Sequence, residues 1–155
     1  MRTISSLLLI LSLACLGGCS KKPDTLAEEY DQKEMEIAIQ QARDSFDDFK
    51  ERWQNPQPGD SEFSIKVKIQ DKHGTEHFWI THVEAKGDGF VGTIGDEPGI
   101  VKNVKYGQKY EFTFADVSDW LYMSNNVMQG NYTLRVILKS MPKREAEKLK
   151  KQLGW

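Results

Sequence analysis

Phe63-Ser64-Ile65-Lys66-Val67-Lys68-Ile69-Gln70 decides the fold class. Apolar and polar residues alternate at every position, and a period of two sends one set to each face of a β-strand. The residues before it follow another period. Met35, Ile39, Ala42, Phe46, Phe49 and Trp53 recur at spacings of 4, 3, 4, 3 and 4, which lines them along one helix face. The remaining face is Glu, Asp, Gln, Lys and Arg, and neither Gly nor Pro interrupts residues 27–53. One amphipathic helix over Ala27–Trp53 is therefore predicted. Asn55-Pro56-Gln57-Pro58-Gly59-Asp60 ends it, because Pro disfavours helix in the residue before it.

Further strands are predicted downstream. Asp71-Lys72-His73-Gly74 reads as a turn and Glu76–Ala85 as a strand, with Phe78 and Ile80 on one face and Trp79, Thr81 and Val83 on the other. Apolar residues on both faces suggest a central strand. Phe90–Ile94 is a third strand after the turn at Gly87, and Ile100–Val104 reads as extended. Lys109–Phe114 alternates again, with Tyr110, Phe112 and Phe114 inward. Ala115–Met123 is less regular, and Asp116 caps a helical turn there. Ser124–Gly130 reads as a polar loop and Tyr132–Leu138 as the last strand. Pro142 then opens a short helix with Ala146, Leu149 and Leu153 on one side. Segregated elements of this kind give an α+β class. The expected architecture is an N-terminal amphipathic helix on a strongly curved antiparallel sheet of about five strands, with a short C-terminal helix. Phe46 should be buried between helix and sheet.

The first residues carry an address. Arg2 precedes an apolar stretch, Leu7–Leu16, which ends in Leu16-Gly17-Gly18-Cys19. Charged start, apolar middle and small-residue end match a secretory signal, and the stretch is shorter than the roughly 20 residues a membrane span needs. The end resembles a bacterial lipobox. That resemblance implies a signal peptide over 1–18, acyl chains such as palmitate on Cys19, and a lipidated tether over 19–26. A single domain follows over 27–155. Ser20, rather than Asp, after the cysteine implies the outer membrane, facing the periplasm. Cys15 leaves with the signal and Cys19 takes the lipid, so the domain has neither disulfide nor thiol nucleophile.

A net charge of −2 and a pI of about 5.9 argue against nucleic acid as a partner. Charge is uneven along the chain. Residues 20–53 carry ten Asp/Glu against six Lys/Arg, and residues 143–151 carry five Lys/Arg against two Glu. Two readings stand: solvated helix faces that attract each other, or a basic tail helix against anionic lipid.

Catalytic signals are sparse. Gly87-Asp88-Gly89-Phe90-Val91-Gly92 fits G-x-G-x-x-G, but Gly95 and Pro98 follow where the motif needs a helix. A hairpin turn and a strand explain those glycines. His77 and His82 lie five apart on one strand and face opposite ways, so no metal or other cofactor is expected. Ser118 stands beside Asp119, but no local signature names a histidine for a triad. The densest cluster is Asp116, Asp119, Trp120 and Tyr122, with Arg135 further on. It reads as scaffold, with Asp116 capping a turn, Asp119 paired to Arg135 across the sheet and Trp120 in the core. It also reads as a shallow pocket in which Arg135 meets an anion against an aromatic wall, or as an acid/base pair. His77 and Trp79 join these as candidate binding residues.

Met35-Glu36-Ile37-Ala38-Ile39 with Ala42-Arg43, the strand at Phe63-Ser64-Ile65-Lys66-Val67 after Pro58-Gly59-Asp60, Glu76-His77-Phe78-Trp79-Ile80, and Asp116-Val117-Ser118-Asp119-Trp120-Leu121-Tyr122 together resemble the YegJ-like family, a bacterial domain of unknown function. The resemblance spans residues 33–138 and leaves the tail after Ser140 outside. It implies an envelope lipoprotein and carries over no catalytic residue, substrate or cofactor. The expected function is a non-enzymatic, membrane-anchored module that binds an envelope protein or a small anionic ligand. Two other readings are a small hydrolase or transferase using Asp116, Asp119 or His77 with Arg135, and a toxin-neutralising protein.

Overall fold

The computed structural model describes residues 30–155, so the expected signal peptide, Cys19 and the tether lie outside the described residues. Helices α1 (Gln32–Asp44) and α2 (Phe46–Gln54) come first. Strands β1 (Asp60–Asp71), β2 (Gly74–Lys86), β3 (Gly89–Ile94) and β4 (Lys109–Phe112) follow. A single 3-10 turn, Phe114–Asp116, leads into β5 (Val117–Ser124) and β6 (Val127–Gly130), and α3 (Tyr132–Ser140) and α4 (Lys143–Gln152) close the chain. The strands form one antiparallel sheet in the order β4-β3-β2-β1-β5-β6. The α+β class, the helix ahead of the sheet and the short C-terminal helix are as the sequence predicts, with six strands.

The expected single helix is two. Asp31 caps α1 by accepting from the Lys33 and Glu34 amides at 2.8 and 3.0 Å, so this helix begins at Gln32, and the expected start at Ala27 lies outside the described residues. It breaks at Ser45, whose hydroxyl donates back to the Gln41 carbonyl at 2.8 Å. Such back-bonding offers the backbone an alternative to the helix ladder. The apolar face continues across the break, with Ala38, Ala42, Phe46 and Phe49 buried.

Two further segments differ from expectation, and a third, read as extended, pairs with no strand among the described residues. Tyr132–Leu138 is helix, not strand. Ser124–Gly130 is a hairpin rather than a loop: Asn125 and Asn126 take positive φ of 49° and 65°, the two-residue turn that suits strand twist. Ile100–Val104 is not a strand. Its amides are held by carboxylates instead, Gly99, Ile100 and Val101 donating to Glu76, and Lys102 to Asp71 at 2.7 Å. That clamp seats Val101 and Val104 in the core.

Two smaller corrections have local causes. The register of β2 against β3 shifts between Thr81 and Glu84, with His82 at φ 49°. That bulge turns Val83 inward beside Phe78 and Ile80. Phe114 is 46% exposed because the chain leaves the sheet into the 3-10 turn, although its ring still touches Phe46 at 5.3 Å.

The core lies between the two N-terminal helices and one face of the sheet. Phe49 stacks on Trp120 at 5.2 Å, and Phe46 meets Phe90 edge-on at 5.8 Å. The Trp120 indole donates to the Ala42 carbonyl at 2.9 Å and fixes α1 over β5. Arg52 on α2 pairs with Asp60 at the start of β1. The C-terminus covers the sheet edge at β6: the Met128 amide donates to Leu153, and the Trp155 indole donates to the Met128 carbonyl at 2.7 Å. Among the described residues no helix is long and apolar enough to cross a membrane.

Phe46→Ala should destabilise the fold by about 3–5 kcal/mol, read from denaturant unfolding. An unchanged midpoint would refute this packing. Arg52, with the Gln57 amide, lowers the Asp60 pKa from 3.8 to about 2. A carboxylate depressed on folding stabilises above its unfolded pKa and loses that contribution as pH falls toward the folded one. Unfolding midpoints should therefore drop between roughly pH 4 and 2, and Asp60→Asn should flatten that limb.

Candidate functional site

The residues expected to cluster lie in separate places. Asp119 is fully buried on β5. One carboxylate oxygen accepts from the Trp120 and Tyr132 amides at 2.9 and 3.2 Å, and the other from the Thr133 amide and hydroxyl at 2.8 and 2.6 Å. Asn131 occupies the N-cap position of α3 in the left-handed region and makes no side-chain cap bond. Asp119 thus supplies, from a strand, the acceptor that free helix amides require. Burial raises its pKa, opposed by the Thr133 hydroxyl, the amides and the charge of Lys66.

Arg135 does not pair with Asp119. Because Tyr132–Leu138 is helical, its guanidinium turns outward, donates to the Gly130 carbonyl at 3.2 Å and lies 4.4 Å over the Trp155 ring. Asp116 closes a capping box with Thr113, accepting from its amide and hydroxyl at 2.9 and 3.0 Å. Tyr122 stacks on Phe63 at 5.0 Å, with Arg52 over its ring at 6.0 Å. It borders a shallow polar hollow of about 350 Å³ that also touches Asp48, Glu51 and Arg52.

His77 and Trp79 belong elsewhere, on the sheet face away from α1 and α2. Register places Lys66 beside Trp79 and Lys68 beside His77. The Lys66 ammonium sits 5.3 Å from the Trp79 ring centroid and 3.4 Å from the Thr133 hydroxyl. His77 Nδ1 lies 2.8 Å from the Ser118 hydroxyl, which donates to the Lys66 carbonyl at 3.2 Å. Partial burial of the ring, then the charges of Lys66 and Lys68, lower the His77 pKa to about 4. The ring still meets water along one side. Lys68 and Gln70 are exposed, and Thr81 and Thr93 half-exposed.

This face is partly exposed to water. It presents two ammonium groups, a neutral imidazole and an indole, a set suited to holding an anionic surface without enclosing it. Sequence reasoning passed over Lys66 and Lys68. The signal was there: alternation puts both on the wet face of β1, opposite the strand that carries His77 and Trp79. Among the described residues no group of three or more His, Cys, Asp or Glu stands together as a metal site.

Asp119→Ala should cost about 3–5 kcal/mol, because it strands buried donors. Arg135→Ala should cost only about 1 kcal/mol, through a lost carbonyl bond and ring contact. Equal costs in denaturant unfolding would overturn this division.

Residues 32–155 match the family described as an uncharacterized protein conserved in bacteria, DUF2314. The match reaches the last residue, so the tail after Ser140 lies inside the family pattern rather than outside it. The chain is 39% identical to the uncharacterized protein YegJ of Escherichia coli K12 over 153 residues, covering 97% of this chain and 99% of that one. It is 28% identical over 86 residues to a protein of Neisseria meningitidis serogroup B whose name describes it as an ankyrin repeat protein, covering 56% of this chain and 33% of that one. No solved structure matches the chain significantly. Matched from α1 to its final tryptophan, and across nearly the whole of a bacterial relative, this chain belongs to the DUF2314 family.

Proposed function

We propose that the protein is a lipid-anchored envelope protein, facing the periplasm, that binds an anionic partner on the open sheet face around Trp79 and performs no chemistry on it. The carrying observation is the pairing of Lys66 with Trp79 and Lys68 with His77 on exposed β-sheet. Opposite charge on a partner would be drawn to the ammoniums, and the indole would add flat apolar contact. The carboxylates open to a catalytic reading support this one. Asp119 engages both oxygens with Trp120, Tyr132 and Thr133, and Asp116 is held by Thr113. The run Leu16-Gly17-Gly18-Cys19 supports the anchor.

Cross-linking and recovery of the full chain from its native envelope tests the reading. Wild type should recover a specific partner, and Lys68→Glu/Trp79→Ala should lose it while keeping the same unfolding midpoint. Cys19→Ala should leave the chain without incorporated lipid. Equal recovery by the face variant would move the binding site elsewhere, and lipid on the Cys19 variant would refute the anchor.

A further inference from the structure

The sheet has two edges, and the chain treats them differently. At β6 its own tail binds the edge through Leu153 and Trp155. At β4 the strand Lys109-Tyr110-Glu111-Phe112 borders, among the described residues, only β3 in the strand order. Phe90 stands opposite Phe112, and Gly92 opposite Tyr110. The two-residue turn between Lys86 and Gly89 sets which β3 residues point to β2. Gly89, Val91 and Thr93 bond toward β2, leaving Phe90, Gly92 and Ile94 to bond toward β4, as the Ile94 amide does to Gln108 at 2.9 Å. By the same alternation Tyr110 and Phe112 face β3. Lys109 and Glu111 therefore turn their backbone N–H and C=O to the free edge.

We propose that β4 is a self-pairing edge, and that its partner is β4 of a second copy of this chain, antiparallel about a two-fold axis through Tyr110. That axis sets Lys109 against Glu111 of the second copy, and Glu111 against its Lys109. Each of these pairs can exchange both backbone bonds, which is what their outward groups require. Both side chains are exposed and stand on the same sheet face, where opposite charges across an antiparallel pair attract. A short charged edge ordinarily discourages pairing. Glu111 also pairs with Lys86 of its own chain, and Lys109 and Glu111, placed symmetrically about Tyr110, discourage most strands and fit their own. An isologous contact of this kind closes as a dimer.

Sedimentation of the full chain in detergent, followed over concentration, tests this. Wild type should form a reversible dimer. Lys109→Glu makes the edge wholly acidic and Glu111→Lys makes it wholly basic, so each variant alone should be monomeric. Their mixture should restore the dimer, and so should the double swap Lys109→Glu/Glu111→Lys. Recovery in the mixture also shows that both single variants are folded. A wild type that stays monomeric throughout would overturn the proposal, as would a dimer indifferent to both reversals or a mixture that fails to associate.

Discussion

The Asp119 carboxylate is the tie on which the C-terminal half of the molecule depends. Taking a charge out of water costs several kcal/mol unless donors surround it. Here they do: amides of Trp120, Tyr132 and Thr133, and the Thr133 hydroxyl. Two of those amides open α3, so the bonds that satisfy the carboxylate also satisfy a helix start. Strand β5 and helix α3 are therefore joined by a contact that neither can abandon cheaply. With α3 placed, its far end reaches α1 through Lys139 and Glu34 at 2.8 Å. Next to Asp119, the Trp120 indole holds α1 by the Ala42 carbonyl.

That arrangement makes the sheet one-sided. The aromatic core is built from α1, α2 and the inner residues of every strand from β1 to β5. The outer residues of β1 and β2 are left to water, and it is there that Lys66, Lys68, His77 and Trp79 meet. The bulges at Glu62 and His82, both at positive φ, bend the strands at their outer ends and add twist. Toward β2 the middle register, Lys66 to Trp79 and Lys68 to His77, is regular, whereas toward β5 it shifts between Lys66 and Val67.

How much of this was legible follows from the range of the forces. The helix-to-strand switch near Asp60 was legible because each period lies within a few residues. Ser45 was not read as a break, since a serine hydroxyl competing with the ladder looks no different in sequence from any polar helix residue. Tyr132–Leu138 was misread because Tyr, Thr, Val and Ile favour strands locally. Its helical state is settled by an acceptor 13 and 14 positions upstream, at Asp119. Gly130 and Asn131, both at positive φ, were the available warning that the chain turns there. Asn125-Asn126 was a hairpin signal passed over as polar loop. The site divided in the same way. Alternation already set Trp79 apart from Phe78 and Ile80, whereas the Asp119–Arg135 pair failed because it assumed that strand.

Saturation of the interior bears on where function can lie. Among the described residues every buried side-chain nitrogen and oxygen has a hydrogen-bond partner. A reacting group in the core would have to break a bond that holds the fold, and at Asp119 that bond starts a helix. The groups left at the surface are the charged and aromatic side chains of the outer face, where Lys66 and His77 are themselves bonded to neighbours, and, among the described residues, the outward backbone groups of β4. Both are geometries for contact with another molecule, and neither encloses one. On the reading proposed above, a fold that ties down its own carboxylates and covers one edge with its own tail presents its outer face and its β4 edge for association.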